Sequence, residues 1–261
     1  MSKSSGYSRR ILLYWFDEYL KEYPTWSVTP SETVNLLIDG TYFANKICLI
    51  IYRDNNIKFT QLYRLTDNEW YEEILEDLQN LISLGVQIES VTCDGHRSIL
   101  KAVRKTDKQI VTQRCLVHIQ RMCRIWLTQE PQSIAGLELR RIVNKLHTIE
   151  NREQWGNWVV QLVQWSERHN EYLKQKSFSP GSGRSWYTHK MVRRSFVTIK
   201  RALPNMFHYL DNPRIPKSTN GLESFFGHLK QNISIHRGLS KEHFKNYLKW
   251  YIYFKNNQNK K

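Results

Sequence analysis

Residues 34–40 read VNLLIDG and residues 86–95 read VQIESVTCDG. Each is an apolar run that ends on an acid and a glycine, Asp39-Gly40 in one and Asp94-Gly95 in the other. Short apolar runs bounded by turn residues read as buried strands. Working outward, Val34–Ile38 is the first strand. Cys48–Tyr52 and Ile57–Tyr63 follow, separated by the turn residues Asp54-Asn55-Asn56, and predict an antiparallel meander. Trp70–Leu84 has helical periodicity, with Ile74, Leu75, Leu78, Leu81 and Ile82 on one face, and Gly85 ends it. Val86–Thr92 reads as a strand, Arg97–Val103 as a helix and Gln109–Gln113 as a fifth strand.

Three antiparallel strands followed by helix, strand, helix, strand is the order of an RNase H-like α/β fold, a mixed five-stranded sheet flanked by helices. Residues 116–215 read as an all-helical insertion. Trp155, Trp158, Val159, Leu162 and Val163 recur there at helical spacing, and Ser177–Ser185 is a Ser/Gly/Pro-rich loop. A last helix pair covers 219–231 and 240–254, with Phe244, Tyr247, Leu248 and Tyr251 as an apolar stripe. The expected organisation is a short basic segment at 1–33, sheet core at 34–115, insertion at 116–215 and C-terminal core helices at 216–261. In the first segment Trp15, Phe16, Tyr19 and Leu20 suit one helix, and Pro24 and Pro30 break the chain after it. It is too small for an independent DNA-reading module.

The 261 residues carry 39 Lys and Arg against 24 Asp and Glu, a formal charge of +15. The charge is segregated. Asp67–Asp77 holds six acids and no base; Arg97–Arg124 holds eight bases and one acid. Arg184–Arg201 holds six bases and no acid, and nine bases follow Ile215 against Glu223 and Glu242. Basic stretches this lopsided point to a polyanion. No apolar run reaches the ~18 residues of a membrane span, and the N-terminus has no signal-peptide pattern. Four cysteines, Cys48, Cys93, Cys115 and Cys123, suit a reducing compartment. A cytoplasmic, nucleoid-associated protein with no membrane partner is expected.

Asp39 and Asp94 are each placed by this reading at the C-terminal end of a strand, where α/β sheets collect ligands. Carboxylates of this kind suit Mg²⁺ or Mn²⁺, and two such ions serve phosphodiester chemistry. The bland alternative is a pair of Asp-Gly turns. Glu223 lies in STNGLESFFGHLK, off the helix face formed by Leu222, Phe225, Phe226 and Leu229. Gly227 and Lys230 fall near it at helical spacing. Lys230 suits a phosphate as a point charge. Asn220 and Glu223 also match a capping box.

These segments resemble the bacterial insertion-sequence transposases of the Mutator-like superfamily, most closely a variant group described as zinc-binding. The resemblance rests on LLIDGTYF (36–43), VTCDGHRSIL (91–100), QRCLVHIQR (113–121), SWYTHKMVRRSF (185–196), TNGLESFFGHLK (219–230) and HRGLS (236–240). It implies that Asp39, Asp94 and Glu223 are a catalytic triad holding two divalent ions, with Lys230 and Arg237 among the DNA-binding residues. It further implies DNA cleavage and strand transfer on double-stranded DNA, performed by two copies of the chain. The family's N-terminal DNA-reading region is reduced here to about thirty residues, which suggests a truncated or internally started product.

Cys115-x-x-His118 has half the ligands of a zinc site. It is read as scaffolding beside the sheet, with His118 touching substrate and no stoichiometric zinc. His96 either contacts a phosphate or starts a helix in solvent. Trp186, with Lys190, Arg193 and Arg194, mixes an aromatic with bases as single-strand binders do, and is the candidate for stacking on a flipped base. The expected function is that of a transposase catalytic domain. Two alternatives belong to other classes: an RNase H-like nuclease that never joins strands, and an idle DNA-binding remnant.

Overall fold

A computed structural model describes residues 6–29, 33–236 and 238–258. The chain forms two compact units. The first comprises Met1–Val91, His96–Ile110 and Asn220–Lys261; the second comprises Thr92–Gly95 and Val111–Thr219. A five-stranded mixed sheet is built from β1 (Val34–Phe43), β2 (Ile47–Asp54), β3 (Phe59–Thr66), β4 (Ile88–Cys93) and β5 (Val111–Arg114), in the order β3-β2-β1-β4-β5. The first three strands pair antiparallel as the meander predicts.

In the first unit, helix α1 (Arg9–Leu20) is capped by Ser8, whose hydroxyl accepts from the Ile11 amide at 3.3 Å. Helices α2 (Tyr71–Ser83) and α3 (Arg97–Thr106) follow, and α9 (Asn220–Ser234) and α10 (Lys241–Gln258) complete the unit. Leu37, Ile47, Leu49 and Ile51 of the meander pack with Leu222, Phe225, Phe226, Leu229 and Ile233 of α9 and with Leu248 and Ile252 of α10. The Asn256 side chain brackets Thr60, accepting from its amide and donating to its carbonyl, each at 2.9 Å, and so ties α10 to β3.

The second unit has helices α4 (Leu116–Leu127), α5 (Ile134–Asn144), α6 (Arg152–Arg168), α7 (Asn170–Lys174) and α8 (Lys190–Ala202). Trp158 and Trp165 sit in its core, as their spacing predicts, and Trp155 packs on its margin. Each buried indole is satisfied: Trp158 Nε1 donates to the Ile142 carbonyl at 2.9 Å and Trp165 Nε1 to the Ala135 carbonyl at 3.0 Å.

The stretch expected to be all-helical contains a hairpin. Strands β6 (Lys176–Phe178) and β7 (Ser185–Tyr187) pair antiparallel, so much of the expected loop is its turn. Phe178, Trp186 and Tyr187 favour extended backbone, and Gly183 supplies a left-handed residue at φ +62°. Helical periodicity is absent over so short a segment, which is why the composition read as a plain loop.

Candidate functional site

Asp39 does not end its strand. β1 continues four residues beyond it, to Phe43, with Asp39 opposite Ile51 and Gly40 opposite Ile50. The expected tip is corrected by Thr41, Tyr42 and Phe43, β-formers that extend the ladder past the glycine. Side chains two apart share a face, so Asp39 stands in line with Leu37 and opposite Ile51, both members of the core under α9. A half-buried carboxylate thus stands beside the apolar residues Leu37 and Ile51, with the buried Thr41 two residues on along the same face. The Gly40 amide donates to Asp39 Oδ1 at 2.9 Å and holds the carboxylate.

Glu223 lies in the first turn of α9 and is half-buried. A Cβ on Gly221 would lie 3.6 Å from Leu37 Cδ1, so the start of α9 seats on the residue two before Asp39. α9 begins at Asn220 itself, which leaves the capping position to the residue before it. Lys230 is exposed, with Nζ 5.6 Å from the centre of the Phe43 ring.

The opposite face of β1 reveals a residue that the sequence pattern does not single out. Glu69 is 10% exposed, and Oε1 would lie 2.6 Å from any Cβ placed on Gly40. A side chain at position 40 would push this carboxylate aside. Its Oε2 lies 3.4 Å from His96 Nδ1. His96 is the residue before α3 and is well exposed. The buried Cys48 thiol registers the local field: burial pushes it up to about 12, helped by the negative charges of Glu69, Glu73 and Asp39.

In the second unit Asp94 directly follows β4, as expected. Gly95 takes φ +92°, and a Cβ there would lie 1.9 Å from the Arg114 guanidinium carbon. Arg114 fills that space and donates from Nη2 to the Asp94 carbonyl at 3.0 Å. Arg114 is likewise inconspicuous in the sequence; it adjoins Cys115, but no local pattern tells that it folds back on Asp94.

Cys115 caps α4. Its sulfur accepts from the His118 amide at 3.4 Å, the Thr219 amide at 3.3 Å and the Thr219 hydroxyl at 3.4 Å. His118 is half-buried in the first turn. Burial pushes the Cys93 thiol up to about 12, with the charge of Asp94 adding to it. Among the described residues, no three His, Cys, Asp or Glu side chains are gathered as a metal cage.

Trp186 is 49% exposed on β7. The neighbouring bases attach to other rings: Arg193 lies 3.8 Å from the Tyr187 ring centre and Arg194 4.3 Å from that of Trp126. Lys190 opens α8 and is exposed. Arg237 lies outside the described residues. No described helix is long and apolar enough to cross a membrane.

This sheet order, with an acid in β1, another after β4 and a third on a late helix, is consistent with the RNase H-like α/β class. Within it, the chain belongs to the IS66 family of transposases: that family's model, described as "Transposase IS66 family", matches residues 63–225. The matched span includes Asp94 and Glu223 and begins after Asp39. A Corynebacterium diphtheriae protein named "Probable transposase for insertion sequence element" is 22% identical over 182 residues, 64% of this chain. The chain spans about half of that relative, 52% of its length. Both comparisons point to insertion-sequence transposases; neither supports the Mutator-like or zinc-binding subgroup.

Proposed function

We propose that the chain is the catalytic part of an insertion-sequence transposase that cleaves double-stranded DNA and joins strands. The observation that carries this reading is Asp39, a half-buried carboxylate on the face of β1 that α9 covers, with Glu223 in the first turn of that helix. The family match supports the same reading from Asp94 to Glu223.

The donor set fits Mg²⁺ or Mn²⁺. Asp39, Asp94 and Glu223 offer hard oxygen donors, whereas the nearby thiols are a protonated Cys93 and a helix-capping Cys115. These three acids would hold two ions, whose chemistry is charge stabilisation at the attacking and leaving oxygens of an in-line displacement. The chain's own residues position the substrate. The Gly40 amide fixes the Asp39 carboxylate, and Arg114 fixes the backbone at Asp94. Glu69 orients His96 toward a phosphate, and Lys230 neutralises another. Trp186 offers a ring to an unpaired base, with Lys190, Arg193, Arg194, His118 and Arg237 as further DNA contacts. Hydrolysis of one phosphodiester frees a 3′-hydroxyl, which then attacks a phosphorus of a second strand, joining to its 5′-phosphate and releasing that strand's own 3′-hydroxyl. Two copies of the chain act together on nucleoid DNA.

Incubation with Mg²⁺, a labelled duplex ending in a 3′-hydroxyl and a plasmid target tests this. Joined product is expected. Nicking without joining identifies a nuclease, and binding without either identifies an idle remnant; both outcomes reject the proposal.

A further inference from the structure

The second unit contains a cavity of about 460 Å³ that the catalytic reading leaves unused. Arg121 and Arg124 from α4 and Arg140 from α5 line it, with Gln120, Gln129 and Ile125, and no carboxylate contributes to the lining. Arg121 and Arg124 are three residues apart and share a helix face, a spacing at which like charges repel. Three guanidinium groups around one space with no acid among them create a strong attraction for an anion.

The floor of the cavity is fixed. The Gln120 amide is 6% exposed and donates to the carbonyls of Val143 at 2.9 Å and Asn144 at 3.1 Å. Arg124 Nε donates to Asn144 Oδ1 at 2.8 Å, which orients its planar fork. Arg140 Nη1 donates to the Thr128 carbonyl and, at 3.5 Å, to the Arg124 carbonyl. Thr128 sits at φ +61°, ψ 179°, a conformation almost reserved for glycine. The Arg140 hydrogen bond tethers this strained residue, and Gln129 follows it directly. Strained backbone held by its surroundings is characteristic of ligand clamps.

The chemistry selects a phosphate. Guanidinium forks match its oxygens in pairs. Arg121 and Arg124 are exposed, and Ile125 is 64% exposed beside them, so the rim suits a polymer with sugars on either side of the phosphate rather than an enclosed small anion. We propose that the Arg121–Arg124–Arg140 cavity grips a backbone phosphate of duplex DNA, an inference that rests on DNA being the partner.

Fluorescence anisotropy of the intact chain with a labelled duplex, without divalent ion and across a salt series, tests it. The Arg121→Gln/Arg124→Gln variant should bind about tenfold more weakly, with a log–log salt slope shallower by about 0.9 for each phosphate no longer neutralised. Arg141→Gln removes one charge from α5 outside the cavity and should change affinity less than about twofold. Thermal melting of each variant checks folding, and both variants are confined to exposed side chains. Equal effects of the two variants, per charge removed, overturn the proposal. Loss of inorganic phosphate binding in the double variant with unchanged duplex affinity also overturns it, because the site then takes a small anion. If the unaltered chain binds no duplex, the proposed function falls and this inference falls with it.

Discussion

The two units display their candidate residues differently. The first stacks aliphatic strands under late helices, and its meander face is Leu37, Ile47, Leu49 and Ile51. A single half-buried carboxylate, Asp39, stands beside those residues on the same face. The second unit buries Trp158 and Trp165 within a mainly aliphatic core and leaves other rings such as Trp186 exposed. In the first unit an inward-facing carboxylate marks the candidate site; in the second, the exposure of a ring is the distinguishing feature.

The largest test of this contrast removes charge without volume. Asp39→Asn, Asp94→Asn and Glu223→Gln should each lower Mg²⁺-dependent nicking by roughly a thousandfold, measured on supercoiled plasmid, with duplex affinity and melting temperature nearly unchanged. One variant that nicks normally removes that acid from the site.

Next in size is the pair of tryptophans. Trp158→Ala should cost about 3–5 kcal/mol in urea unfolding, from reduced burial and the cavity left behind. Trp186→Ala should stay within about 0.5 kcal/mol and instead weaken binding to duplexes carrying an unpaired base. Equal costs would erase the distinction between core and surface rings.

Gly95→Ala should destabilise by about 1–3 kcal/mol, because alanine resists φ +92° and its methyl displaces Arg114. Gly227→Ala is the control on α9, where no neighbour lies within 4 Å; there alanine should be neutral or slightly stabilising.

The smallest effects concern the thiols. Cys93 is held protonated up to about pH 12 by burial. A raised folded pKa means that its contribution is complete below the unfolded value of about 8.5 and declines as pH rises toward 12. Chemical denaturation at pH 7 and pH 10 should show lower stability at the higher pH, and Cys93→Ser should reduce that loss. Cys115→Ser should cost about 1 kcal/mol as an altered cap, and elemental analysis of the purified chain should find no stoichiometric zinc.

The sheet is legible in the sequence because its strands are apolar runs with turn residues between them, and all five fall within a few residues of their expected places. Asp39 is legible as a candidate but misplaced, since Thr41, Tyr42 and Phe43 continue the strand after a glycine that normally signals a turn. Glu69 is hidden in the acid-only run Asp67–Asp77, where composition shows charge but not which carboxylate turns inward. Its place depends on Gly40, 29 residues earlier, and no local periodicity connects them. Arg114 is the same case: its guanidinium fills space that Gly95 vacates, a fact of packing rather than pattern. The hairpin escapes sequence reading because three-residue strands carry too little alternation.

The first unit is assembled from separated stretches of chain, and α9 and α10 come from its last part. During synthesis the apolar face ending at Ile51 is complete some 170 residues before Leu222 arrives to cover it. At about 5–20 residues per second the nascent meander waits roughly ten to thirty seconds with its face bare. Over that interval the bare face is open to aggregation, so the speed of synthesis bears on folding as well as the stability of the finished chain.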